Sequence, residues 1–234
     1  MDVVTISTAN EIDIHEHQVG QHGKNHDCVR LGAAVNLDII KGWFQREGHD
    51  KTSRQCGSWT EVQKECRRQE QFLKLFISPK AVQINSAINI NTGGKEHDVL
   101  LSVDELKVYK RLKDPKHRWG RAEWTPYDYI ESIALFNELA PPVAISVVGT
   151  AMQHSCVTLV TEMPLVVGPY PSPEYLHSKL EKMGFVQYVD GVSKTIDYRK
   201  DDIILYDAHY KNFILDEATG DLVPIDLQIK RLNS

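Results

Sequence analysis

Four stretches of the chain set apolar side chains three or four residues apart, the spacing that lays them on one face of a helix. The first holds Leu31, Val35, Ile39, Ile40 and Phe44, with Gly42 as its weak point. The second runs from Trp59 to about Phe76, with Ser58 as cap and Glu61 at the reciprocal capping-box position. Its stripe of Val62, Cys66, Phe72, Leu73 and Phe76 is interrupted by a charged middle, and Ser78-Pro79 stops it. The third opens at Thr125-Pro126, turns Tyr129, Ile130, Ile133, Ala134, Phe136 and Leu139 inward, and ends at Pro141-Pro142. The fourth opens at Ser172-Pro173, carries Tyr175, Leu176, Leu180 and Met183 on its apolar face, and ends at Gly184.

The rest reads as strands. Val82, Ile84, Ala87, Ile88 and Ile90 predict one strand, and a Gly93-Gly94 turn separates it from Val99-Leu100-Leu101. A further turn leads to the run Glu105 to Leu112. Val143 to Val148 and Cys156 to Thr161 predict two apolar strands, Phe185 to Tyr198 a short hairpin, and Asp202 to Tyr206 another strand. The class is therefore α+β, with residues 1–65 as a mostly helical or irregular extension of unstated role.

Bulk properties narrow the picture. The 234 residues suffice for one two-lobed domain or one domain plus an extension. A net charge of −5 gives no reason to expect nucleic acid as a partner. No run approaches the roughly 20 apolar residues of a membrane span, and the start is not a basic-then-apolar signal, so no membrane is expected. Cys28, Cys56, Cys66 and Cys156 are scattered without a C-x-x-C pair, which fits reduced thiols in a cytoplasm. His15, His17, His22, His26 and Cys28 cluster near the start but lack the paired spacing of a zinc site, so a His-rich surface segment is the expectation.

The chemistry concentrates in Leu205-Tyr206-Asp207-Ala208-His209-Tyr210-Lys211-Asn212-Phe213-Ile214-Leu215 and in Val223-Pro224-Ile225-Asp226. Asp207 lies five residues before Asn212 and nineteen before Asp226, with a polar tip between two apolar runs that predicts a hairpin. An Asp on a loop, an Asn one turn later and an Asp after the next hairpin can meet at one point. Phosphoryl transfer from ATP needs such a set: a carboxylate for the acceptor hydroxyl and oxygen ligands for Mg²⁺. Asp207 is then the base, and Asn212 and Asp226 the metal ligands. A surface turn would use the same Asp and Asn as turn formers. Gly93 and Gly94 would let the backbone approach phosphates closely.

These motifs resemble the catalytic and metal-binding loops of the protein-kinase-like superfamily. The His-Arg of the eukaryotic H-R-D motif is replaced by Leu205-Tyr206, and His209, two past the Asp, is similar to aminoglycoside-type phosphotransferases. The set G-G-x-E-H-x-V, V-Y-K, Y-x-Y-I-E, M-G-F, Y-D-A-H-x-x-N and V-P-I-D most resembles the kinase domains of polyvalent proteins of bacteria, phages and mobile elements, over about residues 68–230. The resemblance implies a bilobal kinase-like fold: an antiparallel first lobe with one helix over 66–165, and a reduced second lobe over 166–234. It implies ATP and Mg²⁺ as cofactors and Ser/Thr/Tyr kinase activity. Lys110 is implied on the α- and β-phosphates, held by Glu131 with Glu138 as its fallback. Glu162 and Met163 are implied at the hinge, presenting a carbonyl and an N–H to adenine. A protein or small-molecule hydroxyl is the expected acceptor; a pseudokinase module and nucleotidyl transfer are the competing readings. Only eight residues follow Asp226, so no activation segment or large substrate platform is expected.

Overall fold

The computed structural model describes residues 5–6, 37–76, 82–83, 87–89, 97–102, 106–112, 119, 121, 124–153, 156–189 and 195–232. Among them are four α-helices and several antiparallel sheets, an α+β arrangement. Strand β1 (Thr5–Ile6) pairs with β2 (Val82–Gln83). Helix α1 (Leu37–Arg46) buries Leu37, Ile40 and Phe44, with Asp38 in its first turn and Arg46 in its last, each at the end its charge favours.

Helix α2 (Trp59–Phe76) starts where Ser58 Oγ accepts the Glu61 N–H at 3.3 Å. Glu61 reaches back one residue further than the capping box requires, to the Gly57 N–H at 2.6 Å. The polar middle of α2 does not interrupt its buried face. Glu65, Gln69 and Glu70 are themselves buried. Gln69 accepts the Tyr127 N–H at 2.9 Å and donates to the Lys51 carbonyl and to Glu65, both at 2.8 Å, while Glu70 accepts from the Trp119 indole at 3.2 Å. Each polar side chain is satisfied inside, which is the condition for burying it.

The main sheet has the order β3 (Ala87–Asn89), β4 (His97–Ser102), β5 (Lys107–Leu112), β7 (Cys156–Pro164), β6 (Ser146–Gln153), antiparallel throughout. Helix α3 (Pro126–Leu139) lies in the chain between β5 and β6. Thr125 Oγ1 caps it by accepting the Asp128 N–H at 3.2 Å, with proline at the first turn. After Pro141-Pro142, the Asn137 side chain ties the exit by bonding both the N–H and the carbonyl of Ile145.

Helix α4 (Pro173–Lys182) is capped by Ser172 and ends at Gly184, whose φ of 88° suits a residue without Cβ. A second sheet follows in the order β13 (Gln228–Arg231), β10 (Ile203–Tyr206), β9 (Asp197–Lys200), β8 (Val186–Tyr188). The hairpin of β11 (Phe213–Leu215) and β12 (Leu222–Pro224) sits between β10 and β13 in the chain.

Two cores result. One joins α1, α2, α3, β6 and β7 through residues such as Phe44, Phe72, Ile130 and Leu159, so the first two helices share a core with the main sheet. The other joins the end of α3 (Phe136) to α4, β10, β11 and β13. Helix α3 belongs to both, and Ser132 Oγ accepts the Ile229 N–H of β13 at 2.8 Å. Cys56 Sγ donates to the Thr52 carbonyl at 3.6 Å and Cys66 Sγ to the Trp124 carbonyl at 3.4 Å. Among the described residues no helix is long and apolar enough to cross a membrane.

Candidate functional site

The antiparallel pairing of β10 with β13 sets the site. Its register runs from Ile203 opposite Arg231 to Tyr206 opposite Gln228, so Asp207 leaves β10 at the edge where Asp226 and Leu227 enter β13. Residues nineteen apart in sequence therefore reach one place. The hairpin between them is closed at its base by the pairing of Phe213 with Pro224 and by the Ile225 N–H donating to the Asn212 carbonyl at 2.9 Å. Asn212 thus lies beside the approach to Asp226.

Asp207 has a φ of 53°, the left-handed region that a residue with a Cβ adopts at a cost. A short 3₁₀ turn follows over Tyr210–Asn212. Asn212, which is buried, donates from Nδ2 to the Asp207 carbonyl at 2.8 Å and to Asp207 Oδ2 at 3.2 Å. That leaves its amide oxygen as the atom suited to a cation. His209 Nδ1 accepts the Lys211 N–H at 3.2 Å, so the proton of the neutral ring is on Nε2, which stands 3.7 Å from Asp207 Oδ2.

Lys110 reaches in from β5. Its Nζ donates to the Ile225 carbonyl at 2.6 Å and to Asp226 Oδ1 at 3.1 Å. His97 of β4 adds Nδ1 at 4.0 Å from the same Oδ1. The Asp226 side chain keeps 47% of its surface accessible, so a ligand can reach it. Burial pushes its carboxyl up, but Lys110 and His97 more than offset this and hold it below the ordinary carboxylate range. Asp207 moves the other way. Burial raises its carboxyl, with Asp226 and Asp197 adding to the rise, while His209 and Asn212 oppose it. The two acids are pushed apart: one stays ionised, the other has a raised proton affinity.

Lys110, Asp207, Asn212 and Asp226 are thus brought together as the sequence predicts. Glu131 is not added to them. It lies 3.9 Å from Lys41 of α1, and Glu138 lies 3.6 Å from Arg231. The packing of α1 on α3 gives Glu131 a cation of its own, and Lys110 is held by Asp226 and the Ile225 carbonyl instead. Glu162 and Met163 are near the end of β7, where Val108 of β5 faces Met163. Strand β6 begins opposite Glu162, so among the described residues β7 has a partner on one side only beyond that point. The Glu162 carboxylate pairs with Lys107 at 3.1 Å. Gly93 and Gly94 lie outside the described residues, as does the cluster His15, His17, His22, His26 and Cys28.

Two neighbours escape sequence reasoning. His97 sits inside the G-G-x-E-H-x-V motif, and that motif is the signal that places it near the site. Asp197 donates nothing to a recognisable motif, yet its Oδ1 accepts the Asp207 N–H at 2.9 Å. A cavity of about 360 Å³ lies elsewhere, lined by Val143, Leu165, Leu180, Phe185 and Phe213 among others, and none of the four converging polar residues lines it.

The donors around Asp226 and Asn212 are carboxylate and amide oxygens, hard ligands of the kind Mg²⁺ takes while keeping room for water and phosphate. Among the described residues, no group of three or more His, Cys, Asp or Glu side chains forms a metal cage. A phosphate-bridged Mg²⁺ does not need one, since it is held by one or two carboxylates plus substrate oxygens. The chain matches no family model, no curated protein and no solved structure.

Proposed function

We propose that this chain is an ATP-dependent phosphotransferase of kinase-like bilobal fold that transfers the γ-phosphoryl group of Mg-ATP to a hydroxyl acceptor. The observation that carries the reading is the convergence of Asp207, Asn212, Asp226 and Lys110. The ammonium of Lys110 and the Asp226 carboxylate, 116 residues apart, stand 3.1 Å from each other. The opposite pKa shifts of Asp207 and Asp226 support the division of labour. The antiparallel sheet with α3 inserted between β5 and β6, followed by a smaller sheet that ends in the two acids, supports the two-lobed reading.

Mg-ATP would supply the activated phosphoryl group and a divalent charge that neutralises its oxygens. Asp226 and the Asn212 amide oxygen would hold the cation. Lys110 would shift from its contact with Asp226 toward the phosphates, or share both. Asp207, with its raised carboxyl, would orient the acceptor hydroxyl and receive its proton at Oδ1, the oxygen facing away from Asn212. His209 Nε2–H faces Asp207 and would steady the charge on it. The acceptor is a protein or a small molecule. A mobile-element protein kinase in a cytoplasm is the reading that the Y-D-A-H-x-x-N and V-P-I-D motifs favour.

Calorimetry of ATP binding with and without Mg²⁺, on the wild type and Asp226→Ala, tests the reading. Mg-dependent binding that disappears in the variant is expected. A folded wild type that binds no ATP would sink the proposal and point to an interaction module.

A further inference from the structure

Asp197 is 1% exposed and has no task in the transfer just described. It opens β9 at the point where β9 and β10 part. The ladder pairs Leu205 with Tyr198, so Tyr206 and Asp197 are the next positions along it. There the chain turns left-handed at Asp207, and the Asp207 N–H can no longer find a strand partner. Asp197 Oδ1 takes that N–H at 2.9 Å, and Thr195 Oγ1 donates to the same oxygen at 2.7 Å. One residue later the Ala208 N–H donates to the Ile196 carbonyl at 2.7 Å. Among the described residues, the other carboxylate oxygen of Asp197 is buried with no hydrogen-bond partner. Burying a carboxylate so incompletely satisfied is unfavourable, and a strand end gains nothing from it. The group is better explained by what it holds.

What it holds is the backbone of Asp207. The left-handed conformation directs the Asp207 carbonyl and Oδ2 together at Asn212 Nδ2. The mutual geometry of the two side chains therefore depends on how the Asp207 and Ala208 amides are held. Residues held in such conformations persist only where their surroundings over-determine them, and here Asp197 and Ile196 do so on consecutive amides.

We propose that Asp197 is a positioning residue that fixes the left-handed backbone of Asp207 and so sets the Asp207 carboxylate against Asn212. The role of that geometry in transfer rests on the phosphotransfer reading; the positioning itself does not. Asp197 acts through the Asp207 amide and touches no substrate.

The experiment compares Asp197→Ala with Asp197→Asn in the full chain. The asparagine keeps an oxygen acceptor for the Asp207 N–H, and the alanine removes it. With alanine, kcat is expected to fall about 100-fold while KM for ATP changes by less than about threefold. With asparagine, kcat should return to within about tenfold of wild type. In amide ¹H–¹⁵N spectra without nucleotide, the Asp207 resonance should move and lose exchange protection in the alanine variant and keep its protection in the asparagine variant. Wild-type kcat in the alanine variant would overturn the proposal, as would equal losses in both variants together with lost nucleotide binding. If the alanine variant does not fold, the asparagine variant decides: loss of Asp207 amide protection there overturns the idea. If the wild type binds no nucleotide, the phosphotransfer reading falls separately. The Asp207 amide then decides alone, with an unmoved resonance in the alanine variant refuting the positioning role and a shifted, unprotected one supporting it.

Discussion

Asp128 ties three parts of the chain together, and its removal should be costly. Its side chain is 3% exposed. Oδ2 accepts from the Ser53 N–H, the Thr125 N–H and the Thr125 hydroxyl, all at 2.8 Å, while Oδ1 faces Lys230 Nζ at 3.3 Å. Asp128→Ala removes a reciprocal helix cap, worth about 1 kcal/mol. It also leaves Lys230, whose side chain is 13% exposed, with its carboxylate gone. Breaking one partner of a buried pair costs about 3–5 kcal/mol. The two terms share atoms and do not add fully, and Lys230 keeps Ser53 Oγ at 3.3 Å, so the expected loss is roughly 4 kcal/mol. For a chain of this size that lowers Tm by about 10 °C. Asp128→Asn keeps the oxygen that caps α3 but turns an NH2 toward Lys230, so it retains the cap and loses the ion pair, and it should cost less than the alanine by about the 1 kcal/mol of the cap. Urea unfolding and a thermal scan of both variants measure this. An alanine variant less than about 1 kcal/mol below wild type, or an asparagine variant as damaged as the alanine one, would refute the reasoning.

Asp226→Ala should abolish Mg-dependent nucleotide binding while leaving the fold intact, which calorimetry and circular dichroism together would show. Asp207→Asn should bind Mg-ATP yet lose transfer by about 10²–10⁴-fold in a phosphate-transfer assay. The same variant should melt higher than wild type at neutral pH. A carboxyl whose folded pKa is raised destabilises the native state above its unfolded pKa, so the gap should close as pH falls into the ordinary carboxylate range. Gly168→Ala should destabilise strongly, by about 3 kcal/mol or more on urea unfolding, because an added Cβ would stand 1.9 Å from the Leu215 carbonyl oxygen.

Most helices and strands were legible because local chemistry marks them, but the one strand read across Val82 to Ile90 is two, β2 against β1 and β3 against β4, and the strand read from Val143 starts at Ser146 after a 3₁₀ turn over Pro141–Val143. Thr125-Pro126 and Ser172-Pro173 open α3 and α4 where the sequence puts them, and the apolar runs flanking Asp216 to Asp221 form the β11–β12 hairpin. The spacing of Asp207, Asn212 and Asp226 was readable for the same reason, since one turn and one hairpin bring them together. The polar middle of α2 reads in the sequence as a break in the buried face, yet Glu65, Gln69 and Glu70 are buried. Gln69 and Glu70 look solvent-directed until Tyr127 and Trp119 arrive from elsewhere in the chain to satisfy them. Glu131 stands on the expected helix, but which cation meets it depends on how α1 packs, and no local pattern encodes that. Asp197 carried no signal because the donor it orients is a backbone amide ten residues away, and although Asp128 stands at the capping-box position after Thr125, nothing local announces its further partners, the Ser53 amide and Lys230.

The β11–β12 hairpin is anchored at its base, and its tip is a solvent-exposed turn held by local bonds such as Gly220 N–H to the Asp216 carbonyl at 2.7 Å. The ladder from Phe213–Pro224 to Leu215–Leu222 and the Ile225–Asn212 bond fix the end that carries Asn212 and Asp226. At the far end Thr219 and Gly220 are exposed, and a Cβ on Gly220 would meet nothing within 4 Å. Doubling the length of a flexible loop costs only about 0.6 kcal/mol. Extra sequence grafted between Thr219 and Gly220 would be absorbed in solvent, leaving the acids where they are. The hairpin is thus a built-in socket for a fluorophore or epitope, one rigid ladder away from the residues whose occupancy it would report.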